Sequence, residues 1–72
     1  MNRQTVTKTY TIHISLVTPD GEEHEHSDTV VTGIPERAVI LAQVWAREVA
    51  REIGARVVDA YAYDDAGILV ND

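Results

Sequence analysis

The sequence predicts a small α+β domain in which one helix packs on a mostly antiparallel, four-stranded sheet. Residues 5–18 alternate between apolar and polar side chains, which is the period of a half-buried strand. Residues 35–53 place apolar side chains at helical spacing, between a proline and a glycine. Because 72 residues, 44% of them apolar, suffice for one small core, we expect residues 1–72 to form a single ββαββ two-layer sandwich.

The first two strands are predicted to form a hairpin around residues 18–21, whose sequence is Thr-Pro-Asp-Gly. Proline presets φ at the first turn position and glycine accepts a positive φ, which favours a type I turn with a glycine bulge. Such a turn pairs residues whose numbers sum to 40, for example Leu16 with His24. Residues 22–32 form the second strand, which is so polar that we place it at a sheet edge, where charge discourages unwanted strand addition.

The helix is predicted to begin at Pro35 and to end before Gly54. Proline at the first helical position loses no hydrogen bond, and glycine closes a helix in the left-handed conformation. Ile40 and Val44 fall among polar residues, outside the apolar stripe, and are expected to be exposed. That stripe comprises Ala38, Leu41, Ala42, Trp45, Val49 and Ile53.

A third strand is predicted over residues 55–64, a turn over residues 64–67 and a short fourth strand over residues 68–70. Strand 1 has the best apolar face, so we place it at the centre. A right-handed crossover brings strand 3 beside it and leads to the order 2-1-3-4. The rival order is 2-1-4-3, with strand 4 parallel to strand 1 as in a β-grasp fold.

Alternation along the third strand decides which of its side chains face the helix. We expect Val58, Ala60 and Ala62 to face the helix, while Tyr61 and Tyr63 lie on the open side of the sheet. The full predicted core comprises Val6, Tyr10, Ile12, Ile14, Leu16, Val30, Ile34, Ala38, Leu41, Trp45, Val49, Ile53, Val58, Ala60, Ile68 and Val70.

The charge is strongly acidic, with a formal net charge of -6, and it is unevenly distributed. Residues 9–36 contain six acids and no lysine or arginine. Such a field repels nucleic acid and anionic membranes and attracts basic protein surfaces. The absence of cysteine, of a signal peptide and of an apolar run near 20 residues leads us to expect a cytoplasmic protein without a membrane span or cofactor.

One segment has the spacing of a weak metal site. On a strand, His24, His26 and Asp28 share one face, and two histidines at i and i+2 can chelate zinc, nickel or copper. No fourth ligand can be named, so a polar edge strand is the favoured interpretation. A calcium site at Asp59, Asp64 and Asp65 lacks the ligand spacing of an EF-hand, and a solvated turn is favoured there too.

The sequence contains no convincing catalytic constellation. The predicted register places His13 across from Ser27, but we expect no acid to orient the imidazole and no glycine-rich loop to form an oxyanion hole. We therefore predict that the protein is not an enzyme. Four arginines could contact phosphates, namely Arg37, Arg47, Arg51 and Arg56. We interpret them instead as partners of nearby acids in ion pairs on the helix surface, for example Glu48 with Arg51 and Glu52 with Arg56.

The leading hypothesis is a protein-interaction module that docks on a basic protein surface. One specific form is an inhibitor of a nucleic-acid-binding protein, by analogy with small acidic proteins of phages and mobile elements, which include anti-CRISPR proteins and nucleic-acid mimics. The alternatives are a homodimeric structural protein, paired through Ile40 and Val44 of the helix or through a sheet edge, and a metal-binding protein that uses His24 and His26. The predicted partner-binding residues are Asp20, Glu22, Glu23, Glu25, Asp28, Ile40, Val44, Tyr61 and Tyr63.

Overall fold

The structure, a computed structural model, describes residues 6–70 and confirms the α+β class. The described elements are strand β1 (Lys8–Val17), strand β2 (Glu23–Thr32), helix α1 (Pro35–Ile53) and strand β3 (Arg56–Tyr63). The sheet is antiparallel, with order β2-β1-β3, and α1 packs on one of its faces. Strand β1 is central, as predicted.

The predicted fourth strand is wrong. Leu69 makes only one isolated bridge, to Tyr63, so the segment that follows β3 is not a strand. The turn after β3 is closed by the N–H of Gly67, which donates to the carbonyl of Asp64 at 3.0 Å. The predicted order 2-1-3-4 is therefore correct only for its first three strands, β2-β1-β3. The β-grasp rival is also wrong, because β3 pairs antiparallel with β1.

The hairpin follows the predicted register. Strand β1 pairs with β2 so that Leu16 lies opposite His24 and every pair of residue numbers sums to 40. The N–H of Thr18 donates to the carbonyl of Glu22 at 2.9 Å, and that of Gly21 donates to the carbonyl of Thr18 at 2.9 Å. Gly21 has φ of 88°, which is the positive φ that the glycine bulge requires.

The ends of the helix also follow the prediction, but its buried face follows it only in part, since Ala38 and Ala42 of the predicted stripe are buried. Gly54 takes a left-handed φ of 69° and donates its N–H to the carbonyl of Ala50. Leu41 and Ile53, both predicted in the core, are each 40% exposed. The buried residues of the helix are Ala38, Val39, Ala42, Ala46 and Ala50. Alanine has almost no side chain, so this face lets the helix approach the sheet closely, and Ala62 of β3 is fully buried against it.

A β-bulge changes the facing of the first residues of β3. Ser15 pairs with Asp59 while Leu16 pairs with Val57, so Val58 is an extra residue on this strand. Val57 consequently packs against the core and Val58 is 58% exposed. The prediction that Val58 faces the helix is therefore wrong.

The core consists of two connected layers between the sheet and the alanine face. Tyr10 and Ile12 pack in one layer, and Ile14 and Leu16 pack in the other, with Trp45 half-buried against both. The partly buried residues that the sequence predicted and the structure packs here are Val30, Trp45, Val49, Ala60 and Val70. The predicted core residues that are instead exposed are Val6, Ile34, Leu41, Ile53, Val58 and Ile68.

Candidate interaction surface

The face of the sheet opposite the helix is open and carries most of the polar side chains of the three strands. Odd-numbered residues of β1 lie on this face because the even-numbered ones from Tyr10 to Leu16 are buried under α1. Strand pairing places neighbours on both sides of them. From the hairpin end, three successive rungs are Glu25–Ser15–Asp59, Ser27–His13–Tyr61 and Thr29–Thr11–Tyr63.

His13 is the centre of a hydrogen-bonded network on this face. Its Nδ1 lies 3.0 Å from the Oγ of Ser27, as the register predicted, and its Nε2 lies 3.0 Å from Oε1 of Glu25. The imidazole also lies against the ring of Tyr61, with centroids 5.2 Å apart. The expectation that no acid orients His13 was therefore wrong. Glu25 could have been found from the sequence, because it precedes Ser27 by two residues and shares its face.

A serine, a histidine and a glutamate in contact are the components of a nucleophilic site, but the surroundings of this network do not favour catalysis. Ser27 and Glu25 are exposed, so water reaches both groups. A surface depression of about 540 Å³ lies elsewhere, between the hairpin turn and Gly54. Among the described residues, Arg56 is the one ionisable residue that lines it. The His13 network instead holds the carboxylate of Glu25 in a defined position on the open face.

The two tyrosines form an aromatic area beside this network, on the side where they were predicted. Tyr61 and Tyr63 meet edge to face, with centroids 5.3 Å apart. Desolvation raises the pKa of Tyr61, and the hydrogen bond with Tyr63 and the negative charge of Asp59 act in the same direction. A depression of about 340 Å³ is lined by these three residues and Leu69. Aromatic rings next to carboxylates are suited to lysine and arginine side chains.

The hairpin carboxylates are exposed, and their contacts within the protein are few. Oε1 of Glu22 lies 2.7 Å from Nε2 of His24, and the Glu25 carboxylate is held by His13. Asp20 accepts a hydrogen bond from the hydroxyl of Thr18, which lowers the pKa of the Asp20 carboxyl. The five carboxylates belong to Asp20, Glu22, Glu23, Glu25 and Asp28.

Among the described residues, no strong base pairs with these carboxylates. Across residues 6–70, no lysine or arginine nitrogen lies within 4.0 Å of a carboxylate oxygen; the two acid–base contacts shorter than this involve histidine. The predicted pairs of Glu48 with Arg51 and of Glu52 with Arg56 are therefore not formed. Exposed side chains on a helix gain little from such pairs and lose entropy when they form them. The acidic hairpin keeps its charge available to a partner.

His24 and His26 lie on the helix side of the hairpin, opposite buried residues of β1. Their rings stack with centroids 6.4 Å apart, and the ring of His26 meets that of Trp45 edge-on at 6.3 Å. Asp28 uses its Oδ1 to accept the N–H of Thr29 at 2.8 Å. In the described part of the chain, no group of three or more His, Asp or Glu is arranged to hold a metal ion, so the geometry lends the metal hypothesis no support.

The outer face of α1 carries a small apolar area, called here the helix patch (Ile40, Leu41 and Val44). These side chains are 55%, 40% and 41% exposed. The predicted exposure of Ile40 and Val44 is confirmed. Leu41 was missed as a surface residue because the sequence pattern placed it in the core. In addition, no helix within residues 6–70 has the length and apolar character needed to cross a membrane.

Fold and surface together define an α+β domain with an acidic, aromatic open sheet face. No protein-family model, curated protein or solved structure matches this chain. Its function must therefore be inferred from the residues themselves.

Proposed function

We propose that this protein is a non-enzymatic interaction module whose acidic hairpin and open sheet face bind a basic protein surface. One observation carries the proposal: the five hairpin carboxylates are exposed, and within residues 6–70 none of them contacts a lysine or arginine. Unpaired charges of one sign raise the rate of encounter with a partner of opposite sign and select against like-charged partners.

The open face supplies the features that a charged hairpin alone would lack. The His13 network holds Glu25, which reduces the conformational entropy that binding has to remove. Tyr61 and Tyr63 provide large contact area with few rotatable bonds. Asp59, across Ser15 from Glu25, adds a second carboxylate to the same face. A lysine or arginine side chain of the partner fits this combination of charge and aromatic surface.

A more specific form of the proposal is inhibition of a nucleic-acid-binding protein, in which the hairpin carboxylates occupy the site that normally holds phosphates. The support is the same exposed row of acids on β2 and the analogy with small acidic inhibitors. Competition tests it: a nucleic-acid duplex should displace the protein from such a partner. Simultaneous binding of both would limit the proposal to a basic surface outside the phosphate site.

Charge reversal in the hairpin tests the proposal directly. The triple variant Glu22→Lys, Glu23→Lys and Glu25→Lys should weaken binding to a captured and purified basic partner by about tenfold or more at about 0.15 M salt. The matched control reverses three helix acids, at Glu36, Glu48 and Glu52, and changes the net charge equally. It should stay within about threefold of wild type. Equal affinities of the two variants, measured by calorimetry, would contradict the proposal.

The helix patch favours a second candidate, a homodimeric structural protein. Three neighbouring apolar side chains on an outer helix face have the composition of an interface centre, and Arg37 and Arg47 lie near them along the helix. If two copies pair here, Ile40→Glu should convert a dimer to a monomer in sedimentation velocity. A wild-type monomer would exclude this candidate, and a dimer unchanged by this substitution would exclude the helix patch as its interface.

A further inference from the structure

The outer edge of β2 carries a row of backbone groups without partners in the sheet. At the hairpin end, the N–H of Thr18 donates to the carbonyl of Glu22, so Thr18 and Glu22 are a hydrogen-bonded pair. Antiparallel pairs alternate, so the even-numbered residues of β2 direct their N–H and C=O groups to β1 and the odd-numbered ones direct theirs away. Since β2 is the first strand of the order β2-β1-β3, nothing in the sheet covers this side.

The opposite edge of the sheet, along β3, is covered over its C-terminal part. The carbonyl of Ala62 accepts the N–H of Val70 at 2.8 Å, and the N–H of Asp64 donates to the carbonyl of Ile68 at 2.9 Å. Further along β3, the N–H of Ala60 donates to the carboxylate of Asp59 at 2.9 Å. The segment after β3 thus occupies that edge at residues 62–64, and the N–H of Ala60 is taken within β3, whereas the edge of β2 near the hairpin has no such partners among the described residues.

The open edge of β2 is itself limited at one end. The N–H of Thr29 is already taken by the carboxylate of Asp28, so a strand could not bond it without displacing that group. Glu23, Glu25 and Ser27 keep outward N–H and C=O groups with no backbone partner outside the ladder among the described residues. This leaves a stretch of five residues, 23–27, available for pairing.

We propose that residues 23–27 bind an extended basic segment of the partner as an added antiparallel or parallel strand, an inference that rests on the proposed function. A second copy is disfavoured, because antiparallel self-pairing of this stretch sets Glu25 against Glu25 and like charges directly opposite destabilise a sheet. Lysines at alternate positions reverse this effect, since side chains opposite Glu23 and Glu25 lie on the same open face. Strand addition then supplies main-chain hydrogen bonds, and the glutamates select the charge.

The test uses a synthetic heptapeptide of alternating lysine and valine, blocked at both ends. Two isomers of this peptide each carry two backbone N-methyl groups. The first isomer has them on the two inner lysines, and the second has them on two valines. In an added strand, one set of N–H groups faces β2 and the other faces solvent. One isomer should therefore lose about tenfold or more in affinity relative to the unmethylated peptide, and the other should stay within about threefold. Amide exchange should slow at Glu25 and Ser27 on binding.

The outcomes separate this inference from the proposed function. Equal affinities of the two isomers, together with lost binding to the Glu22, Glu23 and Glu25 triple-lysine variant, would overturn strand addition and leave charge-based docking intact. Unchanged binding of the unmethylated peptide to that variant would count against the charge-based function. An unmethylated peptide that does not bind wild type at millimolar concentration would also overturn the inference.

Discussion

Ile14 should contribute strongly to stability, although it lies on a strand whose other face is open. Its side chain is fully buried, with 0% exposure, in the core layer that also contains Leu16. Ile14→Val removes one methylene, which is worth about 0.8 kcal/mol in transfer from water, and the small cavity brings the range to about 0.5–1.5 kcal/mol. In a domain of this size, each kcal/mol lowers Tm by about 4–8 °C. We expect the variant to melt about 2–12 °C below wild type.

Ile40→Val is the matched control, because it makes the same chemical change on the outer face of α1. Ile40 is 55% exposed, so the cost should stay below about 0.5 kcal/mol and the shift in Tm should be small. Thermal unfolding followed by far-ultraviolet circular dichroism measures both variants, and urea unfolding checks that the transitions remain two-state. Equal shifts for the two variants would refute the placement of the core on the alanine face.

Three further predictions concern the helix face, the turn and a carboxylate. Ala46→Leu should cost about 1–3 kcal/mol in urea unfolding because the site is fully buried, whereas Val44→Leu should change stability by less than about 0.5 kcal/mol; a tolerated Ala46→Leu would contradict close packing. Gly21→Ala, at a φ of 88°, should cost about 1–2 kcal/mol in the same assay, and no loss would contradict the left-handed turn. Thr18→Val should raise the pKa of Asp20 in a carboxyl NMR titration, and an unmoved pKa would exclude the hydroxyl as the cause of the lowered value. Because folding lowers this pKa below 3.8, the ionised carboxylate stabilises the fold above that pH, and the stabilisation is lost on acidification.

The hairpin was predictable because its chemistry is local. A proline and a glycine at defined positions of residues 18–21 determine the turn, and the turn determines every later pair of the register. From that register, the contact of His13 with Ser27 follows directly. The ends of the helix were predictable for the same reason, since Pro35 and Gly54 determine the conformation of their own backbone.

The buried face of the helix was not predictable in this way, because it depends on how closely the helix approaches the sheet. A hydropathy pattern gives Leu41 and Ile53 more weight than alanine. The structure exposes these two side chains and buries alanines, both Ala42, which the predicted stripe included, and Ala46, which it did not, and gains close packing from their small size. The bulge that exposes Val58 was likewise hidden, since alternation alone contains no signal for an extra residue.

The close approach of the helix also determines how β2 can be used. Helix α1 packs mainly on β1 and β3, so the helix-facing residues of β2 near the hairpin are only partly covered, as at His24 and His26. Strand β2 is therefore held chiefly by its ladder with β1, which uses backbone groups and does not depend on the side chains of the acidic residues. Charge changes at Glu23 and Glu25 should then leave the fold intact, because both are exposed. A loss of binding in the charge-reversed hairpin consequently reports on recognition and not on unfolding, and an unchanged melting curve of that variant verifies the distinction.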